Sequence, residues 1–142
     1  MKQPRVGVLG LGKAGGSLSA SLLAHGVEIA AAMSRDAGRR ERFVRRHPEG
    51  PKPVARLPLL LEQLRAEGAW ALFLATPDDA LSSIAKRLAR APWLPPVVAH
   101  LPQSELHDLI VELRSATLGV GTFTERFDHL QEITGKIAER VL

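Results

Sequence analysis

Short apolar runs alternate along the chain with longer stretches in which apolar residues return at spacings of three and four, the pattern of strands alternating with helices. Residues 5–10, Arg-Val-Gly-Val-Leu-Gly, form a Val/Leu run closed by glycine, as expected of a parallel strand buried on both faces. Small and aliphatic residues follow from Ala14 to Ala24, with Leu18, Leu22 and Leu23 on one stripe and His25-Gly26 as the stop, which predicts a helix. Val27 to Met33 reads as a second strand, and Ala37 to Arg46 as a charged helix ending before Pro48. The proline-rich segment 49–55 leaves room for a short strand around Val54 and Ala55. Leu59 to Ala66 predicts a helix, 70–75 a fourth strand stopped by Pro77, and Asp78-Asp79 opens a helix running to about Arg90.

Val97-Val-Ala-His100 is short and β-branched, as a fifth strand would be. After Pro102 an amphipathic helix carries Leu106, Leu109, Ile110 and Leu113, followed by a predicted strand over 118–123. A final helix is expected with Phe127, Leu130, Ile133, Ile137 and Val141 on one face. The alternation implies an α/β fold with a doubly wound parallel sheet of Rossmann type, in a single domain over 1–142. Its core is expected at 5–100, and residues 103–142 as a helix-strand-helix extension.

The strand-to-helix junction at Gly10 carries the chemistry. Gly10-Leu11-Gly12-Lys13-Ala14-Gly15 fits G-x-G-x-x-G in the context that makes the pattern informative. Gly10 permits a tight turn, Gly12 lets the backbone approach a pyrophosphate, and Gly15 lets helix and strand pack closely. The unpaired N–H groups of the helix start then favour an anion. At the end of the second strand, where a carboxylate would bind the ribose hydroxyls of NAD, the sequence has Ser34 and Arg35. A hydroxyl and a guanidinium there suit the 2′-phosphate of NADP(H), and Arg39, one turn on, is a further candidate contact. Ala75, Thr76 and Pro77 end the fourth strand where the nicotinamide half should pass, and His100 ends the fifth as the candidate proton donor or substrate contact.

Composition changes this picture only locally. The chain carries a formal charge of +4, and the stretch from Ser34 to His47, with six arginines against Asp36 and Glu41, accounts for all of it. So confined a cluster reads as one anion site and a solvated helix face; few aromatics and no Tyr argue against nucleic acid as partner. The absence of cysteine excludes disulfides, thiolate metal sites and cysteine nucleophiles. The histidines lack metal-ligand spacing, so no metal is expected. No signal-like or membrane-spanning apolar run stands out, which predicts a cytoplasmic protein.

The glycine loop Gly10-Leu-Gly-Lys-Ala-Gly-Gly-Ser-Leu, the strand end Met33-Ser34-Arg35 and the turn Ala75-Thr76-Pro77-Asp78-Asp79-Ala80-Leu81 resemble the NADP-binding Rossmann domain of the superfamily around pyrroline-5-carboxylate reductase and deazaflavin-dependent NADP reductase. The likeness covers about residues 5–100 and is nearest to an uncharacterised Rossmann-like branch. There the fifth strand is followed by His-x-Ser-Gly, whereas this chain reads His100-Leu-Pro-Gln-Ser104. The resemblance implies NADP as cofactor and hydride transfer to a small carbonyl or imine. A helical second domain usually completes the pocket in that group, so a homo-oligomer in which another subunit closes the site is expected. The alternative reading is a module that senses NADP(H) or another nucleotide without chemistry.

Overall fold

A computed structural model of the chain describes residues 2–100 and 103–127. The described elements are β1 (Arg5–Leu9), α1 (Lys13–Ala24), β2 (Glu28–Met33), α2 (Ala37–Arg46), α3 (Leu57–Ala66), β3 (Ala71–Leu74), α4 (Asp78–Ala89), β4 (Val97–Ala99) and α5 (Gln103–Ala116). The strands form one parallel sheet in the order β2-β1-β3-β4. From β1 the chain steps to β2 on one side, then crosses back to β3 on the other side of β1. That reversal makes the space beyond the carboxyl ends of β1 and β3 a switch point, the place where open α/β sheets leave a crevice.

Each face of the sheet has its own core. Leu9, Ala31, Met33 and Leu72 pack with Leu57, Leu60 and Leu64 of α3 and Leu88 of α4, while Val8, Ile29 and Ala32 pack with Leu11, Leu22 of α1 and Phe43 of α2. Ile29 and Ala31 lie on opposite faces because the β1–β2 register shifts between Val6 and Gly7, skipping Ala30. Leu60, Leu64 and Leu72 are fully buried, each contributing about 1.5–3 kcal/mol of apolar transfer energy. Below the sheet, Arg5 joins Glu28 (2.6 Å) and Glu67 (2.8 Å). Both pairs are largely exposed, which limits each to about 1 kcal/mol at most.

Several expectations need correction. The strand expected around Val54 and Ala55 is a single bridge from Val54 to Met33, because Pro51 and Pro53 before it have no amides to donate and α3 begins at Leu57 after it. The four strands are therefore those expected first, second, fourth and fifth. The strand expected over 118–123 is not formed: Leu118 and Gly119 take positive φ (53° and 84°), and the Gly119 amide bonds back to the Arg114 carbonyl (2.8 Å). They cap α5, and residues 120–127 continue without regular structure. In α1 the tightly buried positions are Gly15 and Ser19, with Leu18 and Leu22 half-buried and Leu23 exposed, so this helix packs through its small residues. The Ser19 hydroxyl is buried by donating to the Gly15 carbonyl (2.7 Å). The final helix expected around 127–141 lies almost wholly outside the described residues.

Candidate functional site

The glycine loop sits at the switch point, and two of its glycines are required there by the backbone around them. Gly10 has φ +105°, and a Cβ on it would overlap the carbonyl of Ala75. β1 and β3 stay paired to this level, with the Ala75 amide bonding to the Leu9 carbonyl at 2.8 Å. A Cβ on Gly15 would overlap the carbonyl oxygen of Gly10, so α1 is pressed directly onto the end of β1. Gly12 is different. It is the extended N-cap of α1 and offers no side-chain cap, and no acidic residue stands in the first turn. The first amides of α1 therefore have no side-chain acceptor, and the partial positive charge of the helix end is not offset locally. Leu11 is buried and anchors the loop, while Lys13 and Ala14 are exposed.

At the end of β2, Ser34 is buried and Arg35 exposed. The Ser34 hydroxyl accepts from the Asp36 amide (3.2 Å), which leaves its own proton to donate. Asp36 caps α2, its carboxylate accepting from the Arg39 amide at 2.8 Å. Arg40 turns back and donates from one guanidinium nitrogen to the carbonyls of Ser34 (2.7 Å) and Arg35 (2.9 Å). It thereby fixes the turn that presents both residues. The Arg39 guanidinium lies beside the glycine loop, its Nη1 3.5 Å from where a Gly12 Cβ would stand. The structure thus brings Gly12 and Arg39 together, with Ser34 and Arg35 at the neighbouring strand end.

Across the switch point, Ala75 and Thr76 are half-buried and Pro77 is exposed at the N-cap of α4. The Thr76 Oγ1 is buried and has no hydrogen-bond partner among the described residues. Leu74 pairs with Ala99 across β3 and β4, so Ala75 and His100 are next in line at the same sheet edge. His100 is exposed there. Among the described residues no cluster of three or more His, Asp or Glu side chains could hold a metal ion. No helix among them is long and apolar enough to cross a membrane.

The helix face expected to be solvated lies next to the loop. A groove of about 300 Å³ runs between α1 and α2, lined by Leu11, Gly12, Lys13, Gly16, Ser17, Arg39, Arg42, Phe43, Arg46 and His47. Its floor is Phe43, whose ring meets that of His47 at 5.0 Å. Arg39, Arg42 and Arg46 stand at i, i+3 and i+7, which puts them on one stripe of α2. Opposite them α1 offers only Gly12, Gly16 and Ser17 besides Lys13. The arginine spacing was visible in the sequence, but the small residues facing it were not identifiable before the two helices were placed.

No family model matches the chain. Its fold is that of Rossmann-type dehydrogenases and reductases. KijD10, a 3-ketoreductase from Actinomadura kijaniata solved with NADP and TDP-benzene, aligns at TM-score 0.58 and 26% identity over 81% of this chain and 35% of that one. The WlbA dehydrogenase from Bordetella pertussis, solved with NADH and UDP-GlcNAcA, aligns at TM-score 0.59 and 21% identity, covering 82% and 34%. GenD2 from gentamicin A biosynthesis, solved with NAD, aligns at TM-score 0.59 and 20% identity, covering 82% and 33%. The chain thus spans about a third of each of these proteins. A separate likeness concerns a short stretch: an elongation factor G-like protein from Synechocystis sp. (strain ATCC 27184 / PCC 6803 / Kazusa) is 56% identical over 52 residues, 35% of this chain and 8% of that protein. Elongation factor G from Aquifex pyrophilus is 44% identical over 46 residues, 32% and 7% of the respective lengths.

Proposed function

We propose that this chain is an NADP(H)-binding Rossmann unit of an oxidoreductase acting on a small carbonyl or imine. The observation that carries the reading is the uncapped start of α1 at the switch point, with the Arg39 guanidinium beside Gly12. The amides following Gly12 suit a pyrophosphate, with Gly10, Leu11, Lys13, Ala14 and Gly15 shaping the loop. Ser34, Arg35 and Arg39 suit an adenosine 2′-phosphate, since the sequence supplies a hydroxyl and two guanidiniums at and just after the strand end where NAD enzymes place a carboxylate. Ala75, Thr76 and Pro77 form the wall along which the nicotinamide half would lie, and His100 would give a proton to the substrate heteroatom. When bound, the dihydronicotinamide supplies the hydride. The solved proteins named above bind NADP, NADH or NAD and, in two cases, nucleotide-linked ligands, which supports a nicotinamide nucleotide here. The narrower kinship with the pyrroline-5-carboxylate reductase superfamily rests on the three motifs. The stretch shared with elongation factor G spans too little of those proteins to bring an activity with it.

A second reading, an NADP(H) sensor without chemistry, draws on the exposure of His100 at the far side of the crevice, because hydride transfer needs water kept out. In the enzyme reading that edge is covered in a homo-oligomer, and the protein works in the cytoplasm.

Titration of the purified protein with NADPH and NADH by cofactor fluorescence, then a panel of small carbonyls and imines, tests both readings. Consumption of NADPH with a substrate supports the enzyme, and tight binding without turnover supports the sensor. Arg35→Ala should weaken NADPH by about 1–3 kcal/mol, the range for a charged hydrogen bond, and leave NADH nearly unchanged. Equal losses for the two would refute the phosphate contact, and no binding of either nucleotide would refute the function.

A further inference from the structure

We infer that the groove between α1 and α2 is an oligophosphate site whose inner end overlaps the adenosine-phosphate end of the cofactor site, so that the two ligands exclude each other. The first support is geometric. The helices α1 and α2 lie over one sheet face and share the core around Phe43 and Leu22, and beside that core a cavity of about 300 Å³ opens between them. That volume is at the lower end of the range for small-molecule sites. Gly16 matters here because it removes the side chain that would fill the groove. The Arg46 Nη1 stands 3.7 Å from where its Cβ would be, as Arg39 does at Gly12. Two guanidiniums from opposite ends of α2 are thereby gathered along a single turn of α1, about 6 Å of helix.

The second support is charge. Lys13, Arg39, Arg42 and Arg46 line the groove and no carboxylate does. Among the described residues none of these four side chains is in an ion pair, although the chain carries such pairs elsewhere. Holding like charges together costs free energy that an anion would relieve. A single phosphate, with about −1.5 to −2 charges at neutral pH, offsets half of the four. A ligand with three linked phosphates offsets all of them and is long enough to reach from Gly12 to Gly16. Because Gly12, Lys13 and Arg39 belong to both sites, an oligophosphate in the groove would compete with NADP(H). This exclusion rests on the cofactor reading above, whereas binding to the groove does not.

The test uses the whole protein and inorganic triphosphate as probe. Calorimetry at constant ionic strength should show triphosphate binding at least tenfold more tightly than monophosphate or sulfate. Saturating triphosphate should also raise the apparent Kd for NADPH severalfold. The double variant R42A/R46A should lose at least tenfold in triphosphate affinity and most of the competition, with its NADPH affinity changed less than threefold. R42K/R46K should recover most of the triphosphate binding, and circular dichroism with thermal melting checks that each variant is folded. Triphosphate binding no tighter than sulfate, or binding unchanged in R42A/R46A, overturns the site. NADPH binding indifferent to saturating triphosphate overturns the shared end. A salt-dependent gel shift with a short oligonucleotide, lost in R42A/R46A while triphosphate fails to bind, would assign the arginine row to nucleic acid instead. Triphosphate binding that persists where NADPH does not bind at all would uphold the groove and remove the cofactor reading.

Discussion

The two ends of the sheet are built to different tolerances. In β1 and β2, Val8, Ala31 and Ala32 have no exposed surface, and the loop above them is held by backbone lying directly against backbone at Gly10 and Gly15. In β4 the exposed fractions of Val97 and Val98 are 41% and 45%, and beyond it Val111, Val120 and Phe127 are also exposed. At the β1 end, then, the geometry depends on side chains that are missing, and an added methyl has nowhere to go. At the β4 end it depends on side chains that are present but partly in water, where substitutions exchange one solvated group for another. Sensitivity to mutation should follow that division and not distance from the centre of the molecule.

The sharpest way to break the comparison is to add one carbon at each of two glycines. Gly15→Ala forces α1 off the end of β1, because the added Cβ meets the Gly10 carbonyl and neither is the flexible end of a side chain. Urea denaturation should show a loss of about 3 kcal/mol or more, together with loss of NADPH binding. Gly68→Ala places its methyl in open space at φ +64°, so only the backbone preference is lost, and the expected cost is about 1 kcal/mol. Equal costs at the two positions would show that conformational freedom, and not the close approach of helix and strand, is what Gly15 provides.

Next in size is Arg40→Ala. Its guanidinium joins the Ser34 and Arg35 carbonyls, and removing it should cost about 1 kcal/mol of stability. If Arg40 acts by positioning the turn, the discrimination between NADPH and NADH should narrow as well. Arg40→Lys should restore part of it, since an ammonium can reach one of the two carbonyls. A stability loss with unchanged discrimination would make Arg40 structural only.

Why some of this was legible in the sequence and some was not follows from the same division. The order β1-α1-β2-α2, the doubly wound sheet and the glycine loop could be read because strand and helix periods and the demand for glycine are local properties of the chain. Over 118–123 alternating apolar residues and glycines satisfy a strand pattern, yet Leu118 and Gly119 turn left-handed to end α5. Periodicity does not distinguish those cases. On α1 the leucine stripe suggested the buried face, but the contact is made by Gly15 and Ser19, and small residues give little hydrophobic signal even where packing is closest. The arginines of α2 were visible as charge, but whether they faced water or a groove depended on what α1 presents opposite them. The Thr76 hydroxyl is buried without a hydrogen-bond partner among the described residues, which no spacing rule reports.

At the β4 end smaller effects are expected. Val98 is a partly exposed residue on the outermost described strand, and Val98→Lys suits such an edge. Its stability should stay within about 0.5 kcal/mol of the parent. A loss of 2 kcal/mol or more would mean that Val98 is covered in solution, and sedimentation would then tell whether a second copy covers it.

The smallest effect concerns how α5 is held. Glu112 accepts from the Ser82 hydroxyl at 2.6 Å and pairs with Lys86 at 3.2 Å, joining α5 to α4. The Ser82 hydrogen bond first, and then Lys86, hold its carboxyl below the ordinary carboxylate value. A carboxyl with a lowered folded-state pKa stabilises the fold above its unfolded value and loses that contribution as the pH falls through the folded one. Hydrogen exchange in α5 should therefore be slowest near neutral pH relative to its intrinsic rate, and protection should drop on acidification before that of β1 does. In Glu112→Gln the step should vanish, because the amide keeps the Ser82 contact but does not titrate. Were the step to persist in that variant, another carboxylate would govern the α4–α5 contact.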